Sequence, residues 1–160
     1  MKRINFLAKL KKEGKLEIVE PSEEIKDSYI KKSESNIISA KILLENNRLE
    51  ESVSLSYYSM YHMATALFYK TGIKCGNHAA LIVLLKRIFD IDNSYILSAK
   101  KERIDKQYYT DFHITKKEVI EAIQIAEDFN KKIFDFISRL DSSKIKEYRE
   151  KFVYLTVKND

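Results

Sequence analysis

At 160 residues, 44% hydrophobic and 33% charged, the chain carries enough apolar content for one sizeable core and too much for a disordered segment. Its net charge of +5 and pI near 9.1 permit an anionic partner without demanding one. The single cysteine, Cys75, excludes an intrachain disulfide and fits a reducing, cytoplasmic setting.

With one Pro and three Gly, helix is the expected state wherever apolar periodicity supports it. Arg3–Lys12 reads as a short basic helix ended by Gly14, and residues 15–20 (KLEIVE) alternate as an extended piece would. Pro21-Ser22-Glu23-Glu24 is a helix start with Ser22 as N-cap, and this helix runs to about Asn46. Leu49 or Glu50 opens a second helix, whose Ser52–Lys70 portion is apolar or small nearly all round, so it must be enclosed by other helices. Its Ser, Thr, Tyr and His62 side chains make it a poor membrane span, and Met1–Leu10 does not resemble a secretory leader. Thr71-Gly72 stops it, Gly76-Asn77 turns the chain, and Ala79–Phe89 forms the next apolar helix. After a loop at Ile91–Ser94, a helix from Tyr95 to about Tyr109 carries mixed charge. Thr115 and Glu118 form a capping box for a long helix to about Leu140, and Lys144–Leu155 reads as a further short helix. The whole, 1–160, reads as one all-α domain with its core in about 22–140 and short helical extensions at both ends. Abundant Ile, Lys, Asn and Tyr, with no Trp, fit an AT-rich prokaryotic genome.

Three pieces together resemble the HEPN (higher eukaryotes and prokaryotes nucleotide-binding) domains, in particular the small archaeal and bacterial members. The first is LKKEGKL at Leu10–Leu16 with Pro21–Glu24 and AKILL at Ala40–Leu44; the second is SYYSMYH at Ser56–His62 with Ala66, Leu67, Gly72 and His78. The third is Arg103–Tyr108 followed by Thr115–Phe129, with Ala126, Glu127 and Phe129 near its end. The resemblance covers most of residues 7–140. It implies an up-and-down bundle of four to five helices, commonly a homodimer, often encoded beside a minimal nucleotidyltransferase and in some members an RNA-cleaving toxin. Ribonuclease members carry an Arg followed four to six residues later by a His. Here Arg103 is followed by IDKQYY, and the next histidine, His113, lies ten positions on. The related non-toxin pattern has an Asp-Tyr pair after its Arg, where this chain has Gln107-Tyr108.

The segment Lys100–His113 carries the functional reading. Lys100, Lys101, Arg103 and Lys106 interleave with Tyr108, Tyr109 and Phe112, which is the combination that phosphate contact and base stacking require. It predicts nucleotide or RNA binding without cleavage, in a toxin–antitoxin-like or defence pair with a nucleotidyltransferase. The alternative is a metal-independent endoribonuclease in which Arg103 stabilises the scissile phosphate and His113 is general acid or base. A third reading is a structural homodimer for protein assembly. No cofactor or metal is expected, because Cys75-x2-His78 has no second ligand pair. His62 reads as a satisfied buried imidazole, His78 as a capping or packing residue, and Tyr57, Tyr58, Tyr61 and Tyr69 as packing groups.

Overall fold

Scarce glycine and proline let each apolar repeat run on into a long helix. The computed structural model describes residues 2–108 and 113–157, with side chains for 6–104 and 113–157. Among these residues it contains seven helices: α1 (Lys2–Lys12), α2 (Glu23–Glu45), α3 (Leu49–Thr71), α4 (His78–Phe89), α5 (Ser94–Tyr108), α6 (Lys116–Ser138) and α7 (Ser142–Thr156). The expected caps do the starting. Ser22 Oγ accepts from the Ile25 amide at 3.1 Å, and Thr115 Oγ from the Glu118 amide at 3.2 Å. Asp141 accepts from the Lys144 amide at 2.8 Å and opens α7.

The all-α class holds, with α3 as the central element. Its residues from Ser52 to Phe68 are buried on most sides by α2, α4, α5 and α6. The α2–α3 seam is lined by small residues, which let the two backbones approach. Across it, Ser33 Oγ donates to the Ser59 carbonyl and Ser52 Oγ to the Ala40 carbonyl, each at 2.7 Å. Asn130 of α6 donates to Ser59 Oγ at 3.2 Å, so three helices share one hydrogen-bonded polar seam inside an apolar core. The Lys41–Glu127 ion pair at 3.3 Å, together with the shared hollow of Lys26 and Leu140, shows α2 and α6 antiparallel. The same hydrophobic cluster takes in Leu7 and Leu10 of α1 and Phe152 of α7, so both terminal helices pack onto the core.

The KLEIVE stretch finds a partner that local pattern does not announce. β1 (Leu16–Ile18) pairs antiparallel with β2 (Ile73–Cys75), Leu16 opposite Cys75 and Ile18 opposite Ile73. Gly72, at φ +75°, ends α3 in the left-handed conformation and turns the chain into β2. Arg149 of α7 seals this corner: its Nη1 lies 2.7 Å from the Val19 carbonyl, 3.2 Å from Thr71 and 3.0 Å from Gly72.

Candidate functional site

Helical spacing places Tyr57 and Tyr61, and likewise Tyr58 and His62, one turn apart on α3. α5 crosses this surface and lays Arg103 on it. The guanidinium carbon sits 5.2 Å from the Tyr57 ring centre and 5.1 Å from that of Tyr58, and Nη1 donates to Tyr58 Oη at 2.7 Å. Arg103 Nε is buried without a hydrogen-bond partner. The start of α4 brings His78 to the same group. Its Nδ1 lies 2.8 Å from Tyr57 Oη, and its ring stacks on Tyr61 at 3.8 Å between centres. The helix cap is Asn77, which accepts from the Ala80 amide at 2.9 Å, so His78 is the first helical residue rather than the cap. The rings continue along α3: His62 stacks on Tyr58, Tyr29 of α2 lies beside His62, and Tyr69 stacks on Tyr29.

Burial sets the protonation states here. It holds the Tyr57 phenol well above its usual range and pushes Tyr61 up to about 12, so both stay neutral hydrogen-bonding groups. Burial also lowers His78, and the charges of Arg103 and Lys100 push the same way. His62, half-buried and hydrogen-bonded at 2.7 Å to Asn36 Oδ1, falls to about 4. Near neutral pH this surface therefore carries neutral imidazoles beside fixed cations. The Cys75 thiol, pushed up to about 11 by burial, stays protonated. Among the described residues no three His, Cys, Asp or Glu side chains converge as metal ligands, and no helix is long and apolar enough to cross a membrane.

Of the residues singled out by sequence, Lys100 and Arg103 are half-buried and Lys101 is exposed on α5. Lys106 and Tyr108 belong to the same helix, but their side chains lie outside the described residues, as do Tyr109 and Phe112 altogether. Arg103 and Tyr58 line an open cleft of about 540 Å³ with Leu43, Glu50, Glu51 and Leu55. His113 is exposed and lines the neighbouring hollow, beside Arg48, Glu50 and Glu51 at the start of α3. Arg103 lines the first hollow and His113 the second, so the two occupy adjacent hollows rather than one. The histidine hydrogen-bonded to one of Arg103's tyrosines is His78. Glu50 and Glu51, which read in the sequence as an ordinary first helical turn, form the acidic wall common to both hollows.

The model of the HEPN domain matches residues 26–139, spanning α2 through α6. This chain is a HEPN protein. A UPF0332 protein of Pyrococcus horikoshii is 31% identical over 117 residues, which cover 73% of this chain and 77% of that protein. A protein of Methanocaldococcus jannaschii, named as a candidate toxin, is 31% identical over 109 residues, 64% of this chain and 81% of its own. The HEPN match takes in the whole aromatic surface of α3, together with His78 and Arg103.

Proposed function

We propose that this HEPN protein binds single-stranded RNA or a nucleotide at the Arg103 surface and acts with a minimal nucleotidyltransferase in a toxin–antitoxin-like pair. The observation that carries the reading is Arg103 itself. The guanidinium is braced by Tyr57 and Tyr58, its Nε has no partner, and Lys100 and Lys101 stand on the same helix. A cation held this way loses little side-chain freedom when a phosphate arrives, and the half-buried Tyr58, which lines the cleft beside it, is the aromatic nearest to an incoming base. Likeness to a protein named as a candidate toxin supports the biological setting. Glu50 and Glu51 oppose an anion, so the phosphate is expected on the α5 side of the cleft.

Fluorescence anisotropy with a short labelled RNA, titrated at several salt concentrations, tests the reading. Replacing Arg103 and Lys100 with Ala should weaken binding about tenfold or more. The slope of log K against log salt should become shallower by about 0.7 for each phosphate that the variant no longer neutralises. Arg103 is half-buried against Tyr57 and Tyr58, so its loss should cost about 0.5–3 kcal/mol of stability while leaving the helical circular dichroism intact. A wild type that binds neither RNA nor nucleotide at low salt ends the proposal. The partnership is tested separately, by co-purification with a minimal nucleotidyltransferase encoded beside this chain.

A second reading, metal-independent ribonuclease, is favoured by the placement of His78. A neutral imidazole bridged to Arg103 through Tyr57 is suited to take the proton from a 2′-hydroxyl while Arg103 stabilises the phosphate. RNA incubated in excess chelator separates the two readings. Binding without cleavage is the outcome expected of the first. Cleavage that vanishes in His78→Ala and persists in His113→Ala establishes the second.

A further inference from the structure

The cleft that holds Arg103 has a polar end that phosphate contact leaves unused. Of its two acids, Glu51 is engaged already, its Oε1 accepting from Arg48 Nη2 at 2.7 Å. The Glu50 carboxylate, exposed on the same wall, has no ion pair or hydrogen bond among the described residues. Nor has the hydroxyl of Ser54, half-buried on the cleft wall one turn further along α3. Residues four apart on a helix carry their Cβ atoms about 5–6 Å apart. A carboxylate and a hydroxyl, neither of them satisfied within the chain, therefore stand side by side on one wall.

A carboxylate only accepts hydrogen bonds, whereas a serine hydroxyl can also donate. A base edge that fits this pair must offer two neighbouring donors and then an acceptor. The Watson–Crick edge of guanine does so, with its N2 amino group and N1–H for the two carboxylate oxygens and its O6 for the hydroxyl. Each other base sets an acceptor against the carboxylate beside its one donor: N1 beside the adenine amino group, N3 beside that of cytosine, and a carbonyl on either side of uracil N3–H. The edge is free to be read only in an unpaired base. The space is suitable too, since about 540 Å³ falls within the ~300–1,000 Å³ of small-ligand pockets, and Leu43, Leu55 and Tyr58 give a base an apolar and aromatic lining. About two turns of α3 separate Glu50 from Tyr58, whose hydroxyl holds Arg103, so base edge and phosphate meet different parts of the cleft.

We propose that the cleft selects guanine, with Glu50 accepting from N1–H and the N2 amino group and Ser54 Oγ donating to O6, so that its ligand is a guanine nucleotide or an unpaired guanine in RNA. This inference rests on the binding reading at Arg103 and adds the identity of the base to it.

Competition against a labelled RNA at low salt tests this. The competitors are short uridine oligoribonucleotides whose central base is guanine, hypoxanthine, adenine, cytosine or uracil, with free GMP and AMP as a separate pair. Guanine should compete about tenfold or more better than adenine, cytosine or uracil, and hypoxanthine, which lacks the N2 amino group, should fall between. Glu50→Gln should cost the guanine ligand about tenfold and slightly strengthen the adenine one, which no longer sets an acceptor against a carboxylate. Ser54→Ala should weaken guanine and hypoxanthine by about threefold, and Arg103→Ala should weaken every RNA by a similar factor. Preference among the RNAs alone assigns the site to unpaired RNA, and preference for GMP over AMP extends it to the free nucleotide. Equal competition by all bases, or a guanine preference that Glu50→Gln leaves in place, overturns the guanine assignment while RNA binding stands. A wild type that binds neither RNA nor nucleotide removes the binding reading and this inference together.

Discussion

Gly72→Ala is expected to lower the melting temperature by roughly 4–20 °C. The backbone at Gly72 has φ +75°, which costs a residue with a Cβ about 1–2 kcal/mol. The new carbon also has nowhere to go. It would stand 2.5 Å from the Val19 carbonyl oxygen, 3.0 Å from the Pro21 ring and inside the van der Waals envelope of Arg149 Nη1. Arg149 could swing aside only by releasing the three carbonyls it holds, and a backbone oxygen cannot swing at all. Overpacking of this kind costs about 1–3 kcal/mol more, and each kcal/mol moves the midpoint of a chain this size by about 2–4 °C. Gly14→Ala is the control. Its φ of +74° is nearly the same, but the nearest atom to a new Cβ, on the Glu17 side chain, is 3.6 Å away. That variant should lose only the conformational part, about 1 kcal/mol. If the two variants melt together, the account of the Val19–Gly72–Arg149 corner is wrong.

Stability should also fall on mild acidification, and His62 is the main reason. Its folded-state value of about 4 lies well below the ordinary imidazole value, chiefly through burial and secondly through the charges of Lys32 and His78. The folded protein therefore binds fewer protons than the unfolded chain between about pH 6.5 and pH 4. Stability is complete above that window and is lost as pH falls through it. The full shift corresponds to about 3 kcal/mol, and partial exposure of the ring brings the expected loss nearer ~2 kcal/mol. His78 is shifted in the same direction and adds to the slope. Urea denaturation at about pH 7.5, 6, 5 and 4.5 should show this in wild type. In His62→Gln, which keeps an N–H for Asn36 but does not titrate, the slope should be clearly shallower. Equal slopes in the two proteins would remove His62 from the explanation and leave it to His78 and the carboxylates.

The two imidazoles bear on function as well. Because His78 and His62 stay neutral near neutral pH, the positive charge of the candidate site belongs to Arg103, Lys100 and Lys101. RNA or nucleotide affinity should then follow salt much more closely than it follows pH near neutrality.

The helices and their ends were decided within a few residues of chain. Ser22, Asn77, Thr115 and Asp141 cap because a short polar side chain can reach an amide three positions on, and Gly72 ends α3 because a left-handed turn suits a residue without Cβ. The enclosure of α3 followed from its lack of a charged face, and the HEPN likeness rested on short motifs in order. Cooperative placement over long separations was not legible in this way. Nothing near residues 15–20 names residues 73–75 as their strand partner. Nothing around Arg103 names Tyr58, 45 residues earlier, as its acceptor, or sets His78 rather than His113 beside it. The same holds for the cleft where Glu50 and Ser54 of α3 share a site with Arg103 of α5, an arrangement set by the way α5 crosses α3. Caps and periodicity are settled by local hydrogen bonds and helix geometry, whereas these contacts depend on how whole helices cross. The crossing is fixed only when the serine seam of α2 and α3 and the core beneath α6 close together.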